Sequence, residues 1–303
     1  MHLDREHPRG VVAGRVGSGE WIRLRRGACA EAAGLSADQH VAARQVAVAR
    51  IDALREQLSV PHAASHMSAA VVWRLPLLDV PAAVHIVQAT RRSGDAARDV
   101  VRHYRPGSAD DAVVERGREV TALARTTVDC MLALTPRAAL VVADGAVALG
   151  VDRQACQELL ADAGPIRGVV GARQVLALAD DGAESPGETL TRWALLSGGL
   201  PVPTTQVPIE THLGTFWADL GWPEWRLVLE YDGRAKYALL TSDALMREKR
   251  RQDAIGEAGW RMIRVTWADL RDPGQVVRRV VDALPGRASA TLRRRRVLRF
   301  DER

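Results

Sequence analysis

Residues 185–285 restrict the fold most strongly, because their hydrophobic pattern alternates between helix and strand in a definite order. Ser185, followed by Pro186 and Glu188, is a pattern that begins a helix, with serine as the cap and glutamate three positions later. Strand-like runs follow at 205–210, 215–221 and 226–231, then a helix at 242–259, a strand at 261–266 and a helix after residue 272. The order helix, three strands, helix, strand, helix predicts a mixed α/β (α+β) domain.

The residues before this segment divide into two regions. Residues 1–60 contain a short two-faced strand around Trp21 and a long helix, capped by Ser36, whose apolar residues recur every three or four positions (Ala47, Ile51, Leu54 and Leu58). Residues 61–180 predict a middle α+β region. Its elements are a helix at 67–75, strands at 83–87, 100–104 and 119–122, and helices through 126–180.

The basic composition of the chain is confined to its end. Lys and Arg number 42 against 37 Asp and Glu, a formal net charge of +5. Residues 286–303 hold seven Arg against two acids, so the preceding 285 residues have no net charge. We expect 286–303 to be a disordered Arg-rich tail that attracts nucleic acid by charge alone.

Several classes of site and location are disfavoured by the residue pattern. No apolar stretch reaches the roughly 18 residues of a membrane span, and no glycine-rich loop has nucleotide-site spacing. We therefore expect neither a membrane nor a nucleotide cofactor as a partner. Cys29, Cys130 and Cys156 lack metal or disulfide spacing, which favours a reducing cytoplasm. His62 and His66 have the spacing of a helical metal pair, but no third ligand is indicated, so the middle region predicts no chemistry.

Acidic side chains mark the predicted strands of the 185–285 segment. Asp219 lies within the second strand, whereas Glu230 and Asp232 end the third strand, two residues apart and therefore on one face. Carboxylates on adjacent strands offer oxygen ligands for Mg²⁺, which can activate water and neutralise charge at a phosphate. Lys236 follows Glu230 by six residues and can supply a positive charge to the same pocket.

These residues belong to four linked motifs that resemble a known family. The first motif is Asp-Leu-Gly-Trp-Pro-Glu from Asp219, and the second is Leu-Glu-Tyr-Asp-Gly-Arg-Ala-Lys-Tyr from Leu229. The third is Glu-Lys-Arg-Arg-Gln-Asp from Glu248, and the fourth is Gly-Trp-Arg-Met-Ile-Arg-Val-Thr-Trp from Gly259. Together they are similar to the domain of unknown function 559. That family resembles very-short-patch-repair endonucleases and belongs to the restriction-endonuclease-like PD-(D/E)XK fold. The resemblance covers roughly residues 185–285.

The resemblance implies a metal site and a catalytic role for several residues. Asp219 and Glu230 would be the metal carboxylates, with Asp232 beside them, and Glu188 could be the acid carried on the helix. The nuclease pattern expects lysine two residues after the second acid, but Asp232 occupies that position, and Lys236 is the candidate for a relocated lysine. Helix capping is the alternative role for Glu188, and a turn is the alternative for Asp232.

The N-terminal part resembles a second family. Gly-Glu-Trp-Ile-Arg-Leu-Arg-Arg-Gly at 19–27, His-Met-Ser-Ala-Ala at 66–70 and Leu-Pro-Leu at 75–77 look like type IV antitoxins of the AbiEi type. That resemblance implies an N-terminal winged helix in which the strand around Trp21 is the wing. Only about eighteen residues precede this strand, so we expect a truncated winged-helix-like segment within 1–60.

We therefore expect a metal-dependent DNA endonuclease that hydrolyses phosphodiester bonds with Mg²⁺, or with Mn²⁺ in its place. The alternative is a catalytically inactive nuclease fold that acts as an antitoxin-like DNA-binding regulator. The predicted helix at 242–259 carries four basic residues that are candidates for contacts with DNA phosphates, namely Arg247, Lys249, Arg250 and Arg251. The alternative is that they form a solvent-exposed face without a binding role. DNA is the expected partner, and a toxin-like partner or self-association is left open by the sequence.

Overall fold

The computed structural model describes residues 1–91, 97–108, 112–233, 242–285 and 292. The chain forms two compact units. The first comprises Met1–Ala133 and Val151–Ala163, and the second comprises Leu134–Gly150 and the chain from Gly164 onward. Helices and strands occur in both units, which confirms the mixed α/β class predicted from the sequence. Within the described ranges, no helix has the length and apolar character needed to cross a membrane.

Helices and strands of the described residues are numbered here in chain order. The helices are α1 (Arg9–Gly17), α2 (Gln39–Gln57), α3 (His66–Val72), α4 (Leu123–Ala133), α5 (Pro136–Ala148), α6 (Arg153–Asp162), α7 (Val169–Leu178), α8 (Pro186–Ser197), α9 (Ser242–Glu257) and α10 (Pro273–Ala283). The strands are β1 (His2–Leu3), β2 (Trp21–Arg25), β3 (Ala28–Glu31), β4 (Ala63–Ala64), β5 (Val84–Gln88), β6 (Val100–Tyr104), β7 (Ala112–Glu115), β8 (Arg118–Thr121), β9 (Thr204–Thr211), β10 (Gly214–Trp222), β11 (Leu227–Asp232) and β12 (Arg261–Thr266).

The first unit contains a mixed five-stranded sheet of order β6-β5-β4-β8-β7 and an antiparallel three-stranded sheet of order β1-β3-β2. Helix α2 packs on the larger sheet through Ile51 and Leu54, two of the residues whose spacing predicted this helix. Asp38 caps α2, because its carboxylate accepts two backbone N–H groups of the first turn. The expectation that Ser36 is the cap was therefore wrong by two residues.

Helix α1 precedes the strand around Trp21 in the N-terminal segment. It forms although it contains Gly10, Gly14 and Gly17, residues that disfavour a helix. Val12 of this helix packs against the Trp21 side chain, which is only 2% exposed. Burial against one aromatic ring, rather than helix propensity, therefore explains why this short helix forms.

The second unit contains a four-stranded sheet of order β12-β11-β10-β9. Strands β9, β10 and β11 are antiparallel neighbours, whereas β11 runs parallel to β12 with Glu230 opposite Arg264. Val228 of β11 and Ile255 of α9 are buried in one apolar cluster that joins the sheet to this helix. The predicted order of helix, three strands, helix, strand, helix is present from α8 to α10.

A buried ion pair joins α5 to α8 within this second unit. The side chains of Asp144 and Arg192 are each 1% exposed, and the Arg192 guanidinium donates to Asp144 Oδ1 over 2.5 Å. The Asp144 carboxylate also accepts the Thr189 hydroxyl and the backbone N–H of Asp180. Arg192 donates in addition to the carbonyl of Leu178. These contacts explain how a charged residue can interrupt the apolar sequence of α5.

Candidate functional site

The predicted acids lie in the second unit, on two central strands of its sheet and on α8. Asp219 belongs to β10, Glu230 and Asp232 belong to β11, and Glu188 lies in the first turn of α8. The Asp219 carboxylate accepts the backbone N–H of Tyr231 over 2.6 Å. This hydrogen bond holds the Asp219 side chain beside the strand that carries Glu230.

Asp219 has a high pKa for a carboxylic acid. Its pKa rises from the usual 3.8 to about 7, and burial is the largest cause. The negative charges of Glu188, Glu230 and Glu184 contribute to this rise, whereas the hydrogen bond from Tyr231 acts in the opposite direction. Carboxylates held close enough to perturb one another are typical of functional sites, and a cation among them would remove the repulsion.

Glu188 makes the capping contacts that its sequence predicted. Its backbone N–H donates to Ser185 Oγ, and the Ser185 hydroxyl donates to Glu188 Oε1 over 2.7 Å. The backbone N–H of Glu184 donates to Glu188 Oε2 over 2.8 Å. The capping role is therefore confirmed, and it holds a carboxylate that is only 8% exposed close to Asp219. Capping and metal binding are compatible, because each carboxylate oxygen carries two lone pairs.

The close approach of α8 to β11 depends on Gly187. A Cβ atom at this position would lie 2.0 Å from Cε1 of the Tyr231 ring. Only glycine therefore allows the ring to lie against the first turn of α8. This contact sets the separation between the helix that carries Glu188 and the strand that carries Glu230.

Both oxygens of Glu230 are bound by an arginine. Arg251 of α9 donates to Glu230 Oε1 and Oε2 over 2.7 and 2.6 Å, and to both oxygens of Glu248 over 3.0 Å. Glu248 also accepts from Arg264 of β12. Hydrogen bonding to Glu230 raises the pKa of Arg251. Burial raises the pKa of Glu248, but the hydrogen bonds and charges of Arg251 and Arg264 outweigh burial, so the pKa lies below its usual value. Two carboxylates and two guanidinium groups thus form one chain of ion pairs.

Helix α9 carries the predicted phosphate contacts. Three of them are exposed, namely Arg247, Lys249 and Arg250. Arg251 is partly buried and faces Glu230, so in this arrangement its guanidinium is bound to carboxylates. Three of the four predicted cations are therefore exposed to solvent, and the fourth is engaged by acids.

Two further predicted residues lie at the end of β11 and after it. Asp232 is the last residue of the strand, partly buried and opposite Thr266 of β12. Lys236 lies outside the described residues, as do 286–291 and 293–303 of the predicted tail. The acids that the structure brings together are thus Asp219, Glu188 and Glu230, with Asp232 two residues further along β11.

A second group of chemically capable residues lies in the first unit and was not predicted from the sequence. His66, His85 and His103 each offer a ring nitrogen, and these nitrogens all lie within 4.8 Å of one another. The structure thus brings two further histidines to His66, where the sequence indicated no third ligand. His62 precedes α3 and faces the Val60 carbonyl at 2.8 Å, so it is not the helical partner of His66. The available signal was one histidine in each of two predicted strands.

Comparison with known proteins identifies uncharacterized relatives. No family model matches the chain. An uncharacterized protein from each of two Mycobacterium tuberculosis strains, CDC 1551 and ATCC 25618, is 34% identical to the chain over 167 residues. The match covers 54% of this chain and 61% of each relative, so the chain spans less than two thirds of the curated relatives it matches.

Proposed function

We propose that the second unit is a metal-dependent DNA endonuclease that hydrolyses phosphodiester bonds. The observation that supports this most is the grouping of Asp219 with Glu188 and Glu230 in a largely buried part of the unit, where their charges act on one another. The four sequence motifs and the order of elements from α8 to α10 support the same proposal through their resemblance to PD-(D/E)XK nucleases.

The donor set fits Mg²⁺ or Mn²⁺ in its chemistry. Asp219, Glu230 and Glu188 offer carboxylate oxygens, the ligands that these hard cations prefer. The raised pKa of Asp219 reports that burial and neighbouring acids destabilise its negative charge, an effect that a divalent cation would reverse. When bound, the metal would activate a water molecule and neutralise charge on the phosphate under attack.

The residues of the chain have separate roles in this proposal. Asp219 and Glu230 would hold the metal, with Asp232 or Glu188 assisting, and Lys236 would stabilise the developing charge. The backbone N–H of the residue after Glu230 orients the Asp219 carboxylate. The exposed cations of α9 contact the phosphate backbone, which contributes affinity and register rather than sequence preference.

Supercoiled plasmid incubated with the purified chain and Mg²⁺ or Mn²⁺ tests the proposal. The wild-type protein should nick or linearise the plasmid, and chelation should stop the reaction. Asp219→Asn and Glu230→Gln should each abolish cleavage, because each removes a charged metal ligand. Glu224→Gln is the matched control, since Glu224 is an exposed acid of the same unit outside the cluster. Cleavage by Asp219→Asn at the wild-type rate would contradict the proposal.

One observation favours a second candidate, a nuclease fold that binds DNA as an antitoxin-like regulator without cutting it. Arg251 already neutralises Glu230 through two short hydrogen bonds, so metal binding there requires this pair to open. A gel-shift assay run beside the cleavage assay separates the candidates. DNA binding that needs no divalent cation, without cleavage under any metal, would favour the regulator.

A further inference from the structure

The three histidines of the first unit lie on elements that hydrogen bonds hold together. His66 is the first residue of α3. The backbone N–H of Ser65 donates to the His85 carbonyl over 3.0 Å, and the backbone N–H of His85 donates to Ser68 Oγ over 2.8 Å. These bonds join the start of α3 to β5. Strands β5 and β6 are parallel, and His103 pairs with the residue two after His85, which places both rings on one face.

The ring nitrogens are close enough to share one ion. Nδ1 of His85 and Nε2 of His103 are 3.1 Å apart. Zn–N bonds of about 2.0–2.1 Å in a tetrahedral site separate ligand nitrogens by about 3.3 Å, so this pair already has nearly the required spacing. The His66 ring stacks on the His103 ring with centroids 3.5 Å apart. Because each ring's lone pair lies in the plane of that ring, stacking keeps the two lone pairs in separate parallel planes, and one ring must rotate about its Cβ–Cγ bond to complete the site.

A carboxylate and a hydroxyl lie on the other side of the His66 ring. Nδ1 of His66 is 3.1 Å from Ser65 Oγ and 3.9 Å from the Asp129 carboxylate, which leaves Nε2 as the ligand atom. Metal-binding histidines commonly have such a partner on their second nitrogen. Asp129 is 7% exposed, and its carboxylate lies 3.5 Å from Arg105 and 4.0 Å from Arg125. Its negative charge offsets part of the positive charge beside the ion.

Burial favours the neutral form of all three imidazoles, and this is the form that binds metals. Burial, with the neighbouring charges, lowers the pKa of His66 to about 2 and that of His103 to about 4, and burial also lowers the pKa of His85. His66 has a φ of +49°, a left-handed conformation that is uncommon outside glycine. Backbone strain of this kind concentrates at functional sites.

We propose that His66, His85 and His103 together bind one transition-metal ion of the Zn²⁺ type. Imidazole nitrogens favour Zn²⁺, Ni²⁺ and Cu²⁺, whereas Mg²⁺ requires oxygen ligands. The site therefore differs in chemistry from the carboxylates of the second unit and does not depend on the endonuclease proposal. Three protein ligands leave a fourth position of the metal open to water or an external ligand.

Titration of the metal-stripped chain of 303 residues with Co²⁺ and Zn²⁺ tests this proposal. One equivalent of Co²⁺ should give the visible absorption bands of a nitrogen-ligated ion, and Zn²⁺ should displace it. His103→Gln should abolish binding, and Asp129→Asn, which keeps all three ligands, should weaken it about 10- to 100-fold. His40→Gln, at an exposed histidine of α2, should bind as the wild type does.

Thermal unfolding of each variant without metal shows whether its fold is retained. If His103→Gln does not fold, the proposal is tested by the titration of the wild type, which should bind one Co²⁺, and by that of Asp129→Asn, which should bind it more weakly. A folded wild-type protein that binds no stoichiometric Co²⁺ or Zn²⁺ overturns the proposal. Binding that survives in His103→Gln but disappears in Asp219→Asn also overturns it, because the ion would then belong to the acids of the second unit.

Discussion

Replacing Asp219 with asparagine should stabilise the metal-free protein at alkaline pH and have little effect in acid. The pKa of Asp219 is about 7 in the folded protein against a usual 3.8, so between these values the folded state keeps a proton that the unfolded chain has lost. The wild-type protein therefore loses stability as pH rises from about 4 to about 7. Asparagine stays neutral throughout, and its side-chain oxygen can still accept the N–H of Tyr231.

The magnitude of this effect follows from the two pKa values of Asp219. A difference of about 3 pH units between 3.8 and about 7 corresponds to about 4 kcal/mol for a carboxylate shielded from water. Asp219 is only partly buried, and water screens its charge, so we expect about 2 kcal/mol at pH 8. The advantage of Asp219→Asn should shrink toward zero near pH 4.

Urea unfolding of the wild type and of Asp219→Asn, followed by tryptophan fluorescence at several pH values, measures the difference. The two units can unfold separately, so each transition is fitted by itself. Glu224→Gln is the control, because it retains Asp219 and its stability should fall with pH in parallel with that of the wild type. A stability difference that is equal in acid and in alkali would refute the reasoning from burial and like charges. Saturating Mg²⁺ should narrow the difference at pH 8, because it stabilises only the protein that retains the carboxylate.

Two further predictions concern packing in the second unit. Arg192→Met leaves the buried Asp144 carboxylate without its cation and should lower the free energy of unfolding by about 3–5 kcal/mol. Arg278→Met is the control, because it removes an exposed ion pair and should lower the free energy of unfolding by at most about 1 kcal/mol. Equal decreases in the two variants would contradict the prediction. Gly187→Ala should cost about 1–3 kcal/mol, because its Cβ atom would overlap the aromatic ring packed against it. Gly256→Ala on α9 is the control, because no atom lies within 4 Å of a Cβ atom at this position, and it should raise the free energy of unfolding by up to about 1 kcal/mol. A similar increase in Gly187→Ala would show that its Cβ atom does not overlap the ring.

The elements of the second unit could be predicted because turn signals separate its apolar runs. The strand predicted at 261–266 has those bounds in β12. Strands β9 and β10 extend one residue beyond their predicted bounds at each end, and β11 begins and ends one residue later than predicted. Asp272 caps α10 through its carboxylate, which accepts the N–H of Gln275. Helix α1 could not be predicted in this way, because its glycines disfavour a helix and its packing partner, Trp21, lies on a separate strand.

Only part of each cluster could be predicted, because register and side-chain partners are not local properties. Asp219 and Glu230 lie on adjacent strands joined by a short turn, so their proximity follows from the sequence. The histidines of β5 and β6 meet because of one particular parallel register, which the sequence of each strand does not specify. The contact between Arg251 and Glu230 likewise depends on how α9 packs on the sheet, although the spacing of charges on α9 is visible in the sequence.

The ion pair between Arg251 and Glu230 links two expectations that were separate at the level of sequence. Glu230 was expected to hold a metal, and Arg251 was expected to contact phosphate, yet each side chain binds the other in the structure. Hydrogen bonds between charged groups contribute about 1.5–3 kcal/mol, so opening this pair would weaken metal binding by about 10- to 100-fold. A DNA phosphate that bound the released Arg251 would offset this cost. Under the endonuclease proposal, metal and DNA should therefore bind cooperatively, whereas the regulator proposal requires no such linkage.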